Sequence, residues 1–238
     1  MSCSEKVMNG SLAKQPERAR YFPQQLVTAE LLTCEQNYHR EKRRLHNRLL
    51  HGWGIICGLE VKPPPSGAGL VVTVCPGYAL NPEGDEIYVP TEVRFDLARC
   101  ITNPNADHSS PCASAAPGTV DPSKAFYLAI RYDECESHPV RVPAIGCGCD
   151  ETGCEYSRTR EGFELFCLEN LPDSYSIGPL PPVIGPERVI PCPVPADFSW
   201  LVLATVTLNS DRSGVETIAG DKRRLLSPPQ PMASAATT

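Results

Sequence analysis

No stretch of this chain approaches the ~20 consecutive apolar residues that a membrane-crossing helix requires. The opening MSCSEKVMNGSLAKQ has no apolar core segment of the kind that marks a secretory leader. The expectation is a protein made and kept in the cytoplasm, or exported by a route that reads no N-terminal signal. Positive charge is also scarce. Lys and Arg total 22 against 28 Asp and Glu, a net charge of −6, so neither nucleic acid nor an anionic membrane attracts the chain globally. Catalytic signatures are missing too. There is no G-x-S-x-G nucleophile elbow, no phosphate-binding loop, no dinucleotide fingerprint and no pair of histidines at i and i+4 beside a glutamate. No internal repeat is visible.

Long stretches free of proline are few. The 25 prolines in 238 residues are about twice the usual ~5% share. Proline lacks an amide hydrogen and fixes φ, so this density excludes a mostly helical protein and predicts many loops and edges. The length fits one large domain with extensions.

One segment escapes the prolines. From Ala29 to about His51 the chain has neither proline nor glycine. Thr28 can cap a helix start, with Glu30 in the first turn. Leu31, Cys34, Tyr38, Leu45 and Leu49 recur at helical spacing. Glu35, Arg40, Glu41, Lys42, Arg43, Arg44, Asn47 and Arg48 fill the other face, and Gly52 supplies a C-terminal break. This predicts an amphipathic helix of about six turns. Leu31, Tyr38, Leu45 and Leu49 form the seam through which it would dock.

Beyond Gly52 the pattern turns strand-like. Ile55, Ile56, Leu59 and Val61 come first, then LVVTVC (70–75), YAL and DEIYV (85–89) as a meander broken by Pro76-Gly77 and Asn81-Pro82-Glu83-Gly84. AFYLAIRY (125–132), FELFCL (163–168) and WLVLATVTL (200–208) follow, the last pairing with 214–218. The expected fold is mainly β with one long N-terminal helix, a β-sandwich or barrel-like domain with long Pro-rich loops. The expected organisation is a flexible arm (1–20), the helix (21–52), the β-domain (53–226) and a disordered tail (227–238). Within the β-domain lie a Cys-rich loop (135–154) and a Pro-rich crossing segment (171–197).

Four constellations could carry chemistry. Twelve cysteines suggest metal ligands or buried thiols in a reducing compartment, and disulfides in an oxidising one. Cys147, Cys149 and Cys154 have C-x-C-x4-C spacing, and Cys135 completes a set of four. His138 and Cys167 are further candidates. Structural zinc, disulfides and free thiols all remain open, and the first departs from the usual C-x2-C knuckle. His39 and His46 share a helix face while His51 points elsewhere, which is not a metalloprotease spacing. The basic face of Arg40, Lys42, Arg43, Arg44 and Arg48 reads as a solvated face or as ion pairs to an acidic surface. Finally, HNRLLHGWGIICGL (46–59) packs Gly52, Trp53, Gly54 and Gly58 together. It reads as a helix–strand joint, with Trp53 as a plug between helix and sheet and the glycines permitting close approach.

Two blocks, residues 21–61 and VCPGYALNPEGDEIYV (74–89), resemble structural proteins of phage tails and phage-tail-like contractile injection systems. The likeness is strongest to baseplate-peripheral and fibre-attachment components. The closing WLVLATVTLNSDRSGVETI with Asp221-Lys222-Arg223-Arg224 is similar in kind. The resemblance implies no catalytic residues and does not extend to the cysteine loop; no cofactor is expected, structural zinc on those cysteines aside. It implies a homo-oligomer that joins other particle subunits in a virion-like or injection particle. Two other readings compete with it. One is a β-sandwich that recognises a glycan or receptor through loops 100–123 and 136–160. The other is a zinc-dependent enzyme built on the histidines and cysteines.

Overall fold

The computed structural model describes residues 16–64, 69–101, 120–141, 154–178, 192 and 195–226. Most of the arm, most of the loop after residue 101, Cys147 and Cys149, most of the Pro-rich crossing and the 227–238 tail lie outside the described residues.

Helix α1 spans Ala29–His46, with the Leu31 amide donating to the Thr28 hydroxyl at 3.3 Å. It does not continue as α-helix to His51. Asn47–His51 form one wider π-helical turn, and the Gly52 amide reaches back five residues to the Asn47 carbonyl. The wide turn turns the Asn47 side chain inward, where it is buried and donates to the Gly84 carbonyl at 2.9 Å. Gly52, at φ +76°, makes the break.

Among the described residues ten strands follow: β1 (Gly54–Gly58), β2 (Val61–Lys62), β3 (Val71–Val74), β4 (Gly77–Leu80), β5 (Glu86–Val89), β6 (Val93–Asp96), β7 (Phe126–Arg141), β8 (Cys154–Leu168), β9 (Trp200–Leu208) and β10 (Val215–Ala219). A short helix α2 (Ala98–Ile101) lies between β6 and β7. They form three antiparallel sheets ordered β1-β4-β5, β2-β3-β6 and β10-β9-β7-β8. Alternation sends one face of the strands inward, the outer halves of β7 and β8 excepted. Ile55, Val72, Val74, Ile87, Val89, Phe95, Phe126, Leu128, Ile130, Leu201 and Leu203 share one core. The protein is mostly β with an N-terminal helix.

Two connections decide where the sheets meet. Gly58, at φ +63°, crosses so close to β4 that an added Cβ would lie 2.0 Å from the Pro76 carbonyl oxygen. Cys100 on α2 and Cys167 on β8 form a disulfide with a Cα–Cα distance of 5.8 Å across 67 residues of sequence. Cys167, a candidate zinc ligand from its sequence position, is therefore committed to sulfur.

The largest departure from expectation concerns β7 and β8. The strands foreseen at 125–132 and 163–168 run on to Arg141 and back from Cys154. Cys135 and Cys154, expected in a loop, thus sit in a long hairpin. Its outer half alternates charged with small residues and includes Pro139, so it lacks the apolar alternation that betrays a half-buried strand. β6 and α2, four residues each, also escape a periodicity reading.

Candidate functional site: a basic helix on an acidic surface

None of the residues of α1 is buried. Leu31, Cys34, Tyr38 and Leu45 are half-buried along one stripe. Leu49, the fourth member of the expected seam, is exposed, because the wide turn rotates it away. Leu32 and Leu50 are exposed as well, the latter at 69%. So are Phe22, Leu26 and Val27 in the segment leading into the helix. That segment folds back, with the Tyr21 hydroxyl donating to the Glu35 carboxylate, which raises the Tyr21 pKa.

Polar ties hold the helix instead. The Arg44 Nε donates to Asp85 Oδ1 at 2.5 Å, and Asp85 is only 6% exposed. Asp85 is pinned in turn, its amide donating to Asn81 Oδ1 and its carboxylate accepting from Asn81 Nδ2. Burial alone would lower the Arg44 pKa, but the Asp85 and Glu41 carboxylates outweigh it and raise it. Gly84 makes this contact close. Its φ is +92°, and a Cβ there would sit 2.3 Å from the Arg44 carbonyl oxygen. Further along, Arg40 pairs with Glu134 at 2.8 Å, and Arg43 approaches Glu86 and Glu161 at 3.8 and 3.6 Å. The exposed Arg43 contacts are worth little, whereas the partly buried Arg44–Asp85 pair resists loss of either partner. The basic helix face therefore meets an acidic surface made by the β4–β5 turn, β5 and the β7–β8 hairpin.

The joint after the helix is organised by Trp53 together with Tyr175, Phe198, Arg223 and Arg224, a grouping the sequence reading did not foresee. Trp53 is partly buried and packs against the core. Its ring joins Tyr175 and Phe198, at 5.6 and 5.4 Å between centroids, and Trp200 stacks on Tyr175. The Arg224 guanidinium lies 4.1 Å over the Trp53 ring. It donates to the carbonyls of Trp53, Ser176 and Gly178. Arg223 donates to the carbonyls of Gly58, Leu59 and Leu203. Burial lowers the pKa of both arginines. Between Gly54 and Gly58, the Ile55 amide donates to the Arg224 carbonyl, and the Leu226 amide donates to the Ile55 carbonyl. The segment 224–226 thus bridges to β1 in parallel through Leu225 and Ile55. The motif Asp221-Lys222-Arg223-Arg224 was the available signal, but nothing local says that two arginines will bind carbonyls rather than carboxylates.

With this geometry in view, the comparisons are brief. No known protein family and no curated protein match the chain. A crystal structure titled TssK aligns over 84% of this chain at 11% identity and a TM-score of 0.35. The chain spans 40% of the length of that TssK chain.

The other candidates are dispersed. Cys135 is disulfide-bonded and Cys154 carries an exposed free thiol, while Cys147 and Cys149 lie outside the described residues. Among the described residues no three His, Cys, Asp or Glu side chains are grouped to hold a metal. His39 packs edge-on against Tyr38, and His46 against His51 at 5.5 Å. No described helix is long and apolar enough to cross a membrane. A cleft of about 420 Å³ lies between Tyr127, Pro172, Tyr175, Ile177 and Lys222.

Proposed function

We propose that the protein is a non-enzymatic structural subunit of a phage tail or contractile injection particle. It docks on neighbouring subunits through α1 and the segment before it. The resemblance of residues 21–61 and 74–89 points to this class. The observation that carries the reading is the state of the helix. It is tethered by ion pairs, buries no residue of its own, and leaves Phe22, Leu26, Leu32 and Leu50 in solvent. Exposed apolar side chains along a helix and the segment leading into it are what a contact surface offers a partner. In this reading the three sheets close as a sandwich or barrel-like body that carries the helix. The Cys100–Cys167 bond forms once the protein meets an oxidising medium, as on a released particle.

The test is co-expression with the products of the neighbouring genes and purification of particles. A Leu32→Asp, Leu50→Asp double variant with unchanged circular dichroism and melting should be missing from them. Incorporation equal to wild type would overturn the proposal. A glycan- or receptor-binding module is the second reading, favoured by the aromatic-walled cleft at Tyr127 and Tyr175. Glycan-array binding that Tyr127→Ala abolishes would support it.

A further inference from the structure

The β7–β8 hairpin outgrows its sheet. β9 pairs with β7 only from Phe126 to Arg131, whereas β8 follows β7 to Arg141. The outer part, 134–141 against 154–161, pairs with no third strand among the described residues, and such two-stranded ribbons are marginal without bracing. Directly opposite residues in an antiparallel ladder share a face, and faces alternate. The register therefore sorts the charges. Glu134 with Glu161, Glu136 with Thr159 and Val140 with Glu155 share one face. Cys135 with Arg160, Ser137 with Arg158, Pro139 with Tyr156 and Arg141 with Cys154 share the other. One face thus carries Glu134, Glu136, Glu155 and Glu161. The opposite face carries Arg141, Arg158 and Arg160 around Tyr156.

The acidic face is braced near its base, where Arg40 and Arg43 of α1 meet Glu134 and Glu161. Toward the tip, Glu136 and Glu155 stay exposed. Among the described residues no carboxylate pairs with Arg141, Arg158 or Arg160, and all three are exposed, as is Tyr156. The spacing also matches. Glu136 and Glu155 lie four ladder positions apart along the ribbon, as do Arg158 and Arg141, about 13 Å in each case at ~3.3 Å per residue. Tyrosine flanked by arginines is the composition of an interface centre.

We infer that the basic face of the ribbon seats the tip of the acidic face of a second copy of this chain, with Arg141 and Arg158 opposite Glu155 and Glu136. The two surfaces lie on opposite sides of one ribbon, so the contact is head-to-tail. It generates a ring or an open stack rather than a twofold dimer. This deepens the proposed structural role by naming the contact between copies, distinct from the helix that docks on other subunits.

The experiment is native mass spectrometry and analytical ultracentrifugation of the purified full chain over a salt series. Oligomers larger than two should form at low salt and weaken as salt screens the pairs. Arg158→Glu with Arg141→Glu should weaken association on the order of tenfold or more, since like charges then face each other. Glu136→Arg with Glu155→Arg should do the same, and mixing the two variants should restore pairing in alternation. Melting temperatures close to wild type serve as the folding control. A wild-type monomer at all concentrations, or oligomers indifferent to both reversals, would overturn the inference. So would a loss of single-stranded RNA retention by the arginine variant without any change in mass. Because the isolated chain is measured, the result stands apart from the particle-incorporation test of Leu32 and Leu50.

Discussion

Arg224 shows how a single cation can close a fold without an acid. Its charge is spread over three backbone carbonyls and the face of Trp53. Those carbonyls would be left unsatisfied by truncation, which costs more than the bonds themselves contributed. Arg224→Ala should lower stability by about 2–4 kcal/mol, read as a fall in the urea midpoint at constant slope. Arg224→Lys should recover little, since an ammonium lacks the planar fork. The neighbouring Tyr175 gives a pH signature. Burial outweighs the Val202 amide and Arg224 and pushes its phenol up to about 12 from 10.0. A raised folded pKa means that the neutral phenol stabilises the fold. That contribution is complete below pH 10 and is lost as pH rises toward about 12. Alkaline titration followed by tyrosinate absorbance should show unfolding in this window, and Tyr175→Phe should remove this component of the pH dependence.

The elements differ in what holds them. α1 depends on charge: Arg44→Ala strands the buried Asp85 carboxylate and should cost roughly 3 kcal/mol. Leu32→Asp, on the open side, should stay within about 0.5 kcal/mol. Thermal melts of the two variants side by side check the contrast, and equal losses would mean that the apolar face, not the ion pair, seats the helix. α2 and β8 depend on a covalent bond. Closing 67 residues between Cys100 and Cys167 restricts the unfolded chain by about 4 kcal/mol on the entropy model. Cys100→Ser, Cys167→Ser should melt lower, and wild type under a reductant should follow it. The helix was legible in the sequence because Thr28, Glu30 and an uninterrupted apolar period all agree. Its wide last turn was not, because Asn47 is drawn inward by the Gly84 carbonyl 37 residues away. The ribbon was unreadable for a related reason. Both its faces are polar, and strand periodicity appears only where one side is buried.

At the scale of the whole molecule, one apolar core serves all three sheets. Removing a central side chain should therefore be felt everywhere. Phe126→Ala should cost about 3–5 kcal/mol, and fluorescence and circular dichroism should still report one shared transition. Two separate transitions would show that the β2-β3-β6 sheet folds apart from the rest.

The amino-acid sequence by itself settled the local matters: a capped helix from Ala29, the break at Gly52, and apolar strands around Val72, Ile87, Ile130 and Leu203. Each follows from a period or a cap written in adjacent residues. Tertiary structure alone decided the remainder. It joined Cys100 to Cys167, set Arg223 and Arg224 on carbonyls from three distant segments, and laid Arg40, Arg43 and Arg44 on carboxylates from the β4–β5 turn, β5 and the β7–β8 hairpin. Those partners lie tens to more than a hundred residues apart, and a charge or a thiol carries no mark of which distant partner will reach it. Spatial proximity makes that choice, and the packing of the shared core supplies the proximity.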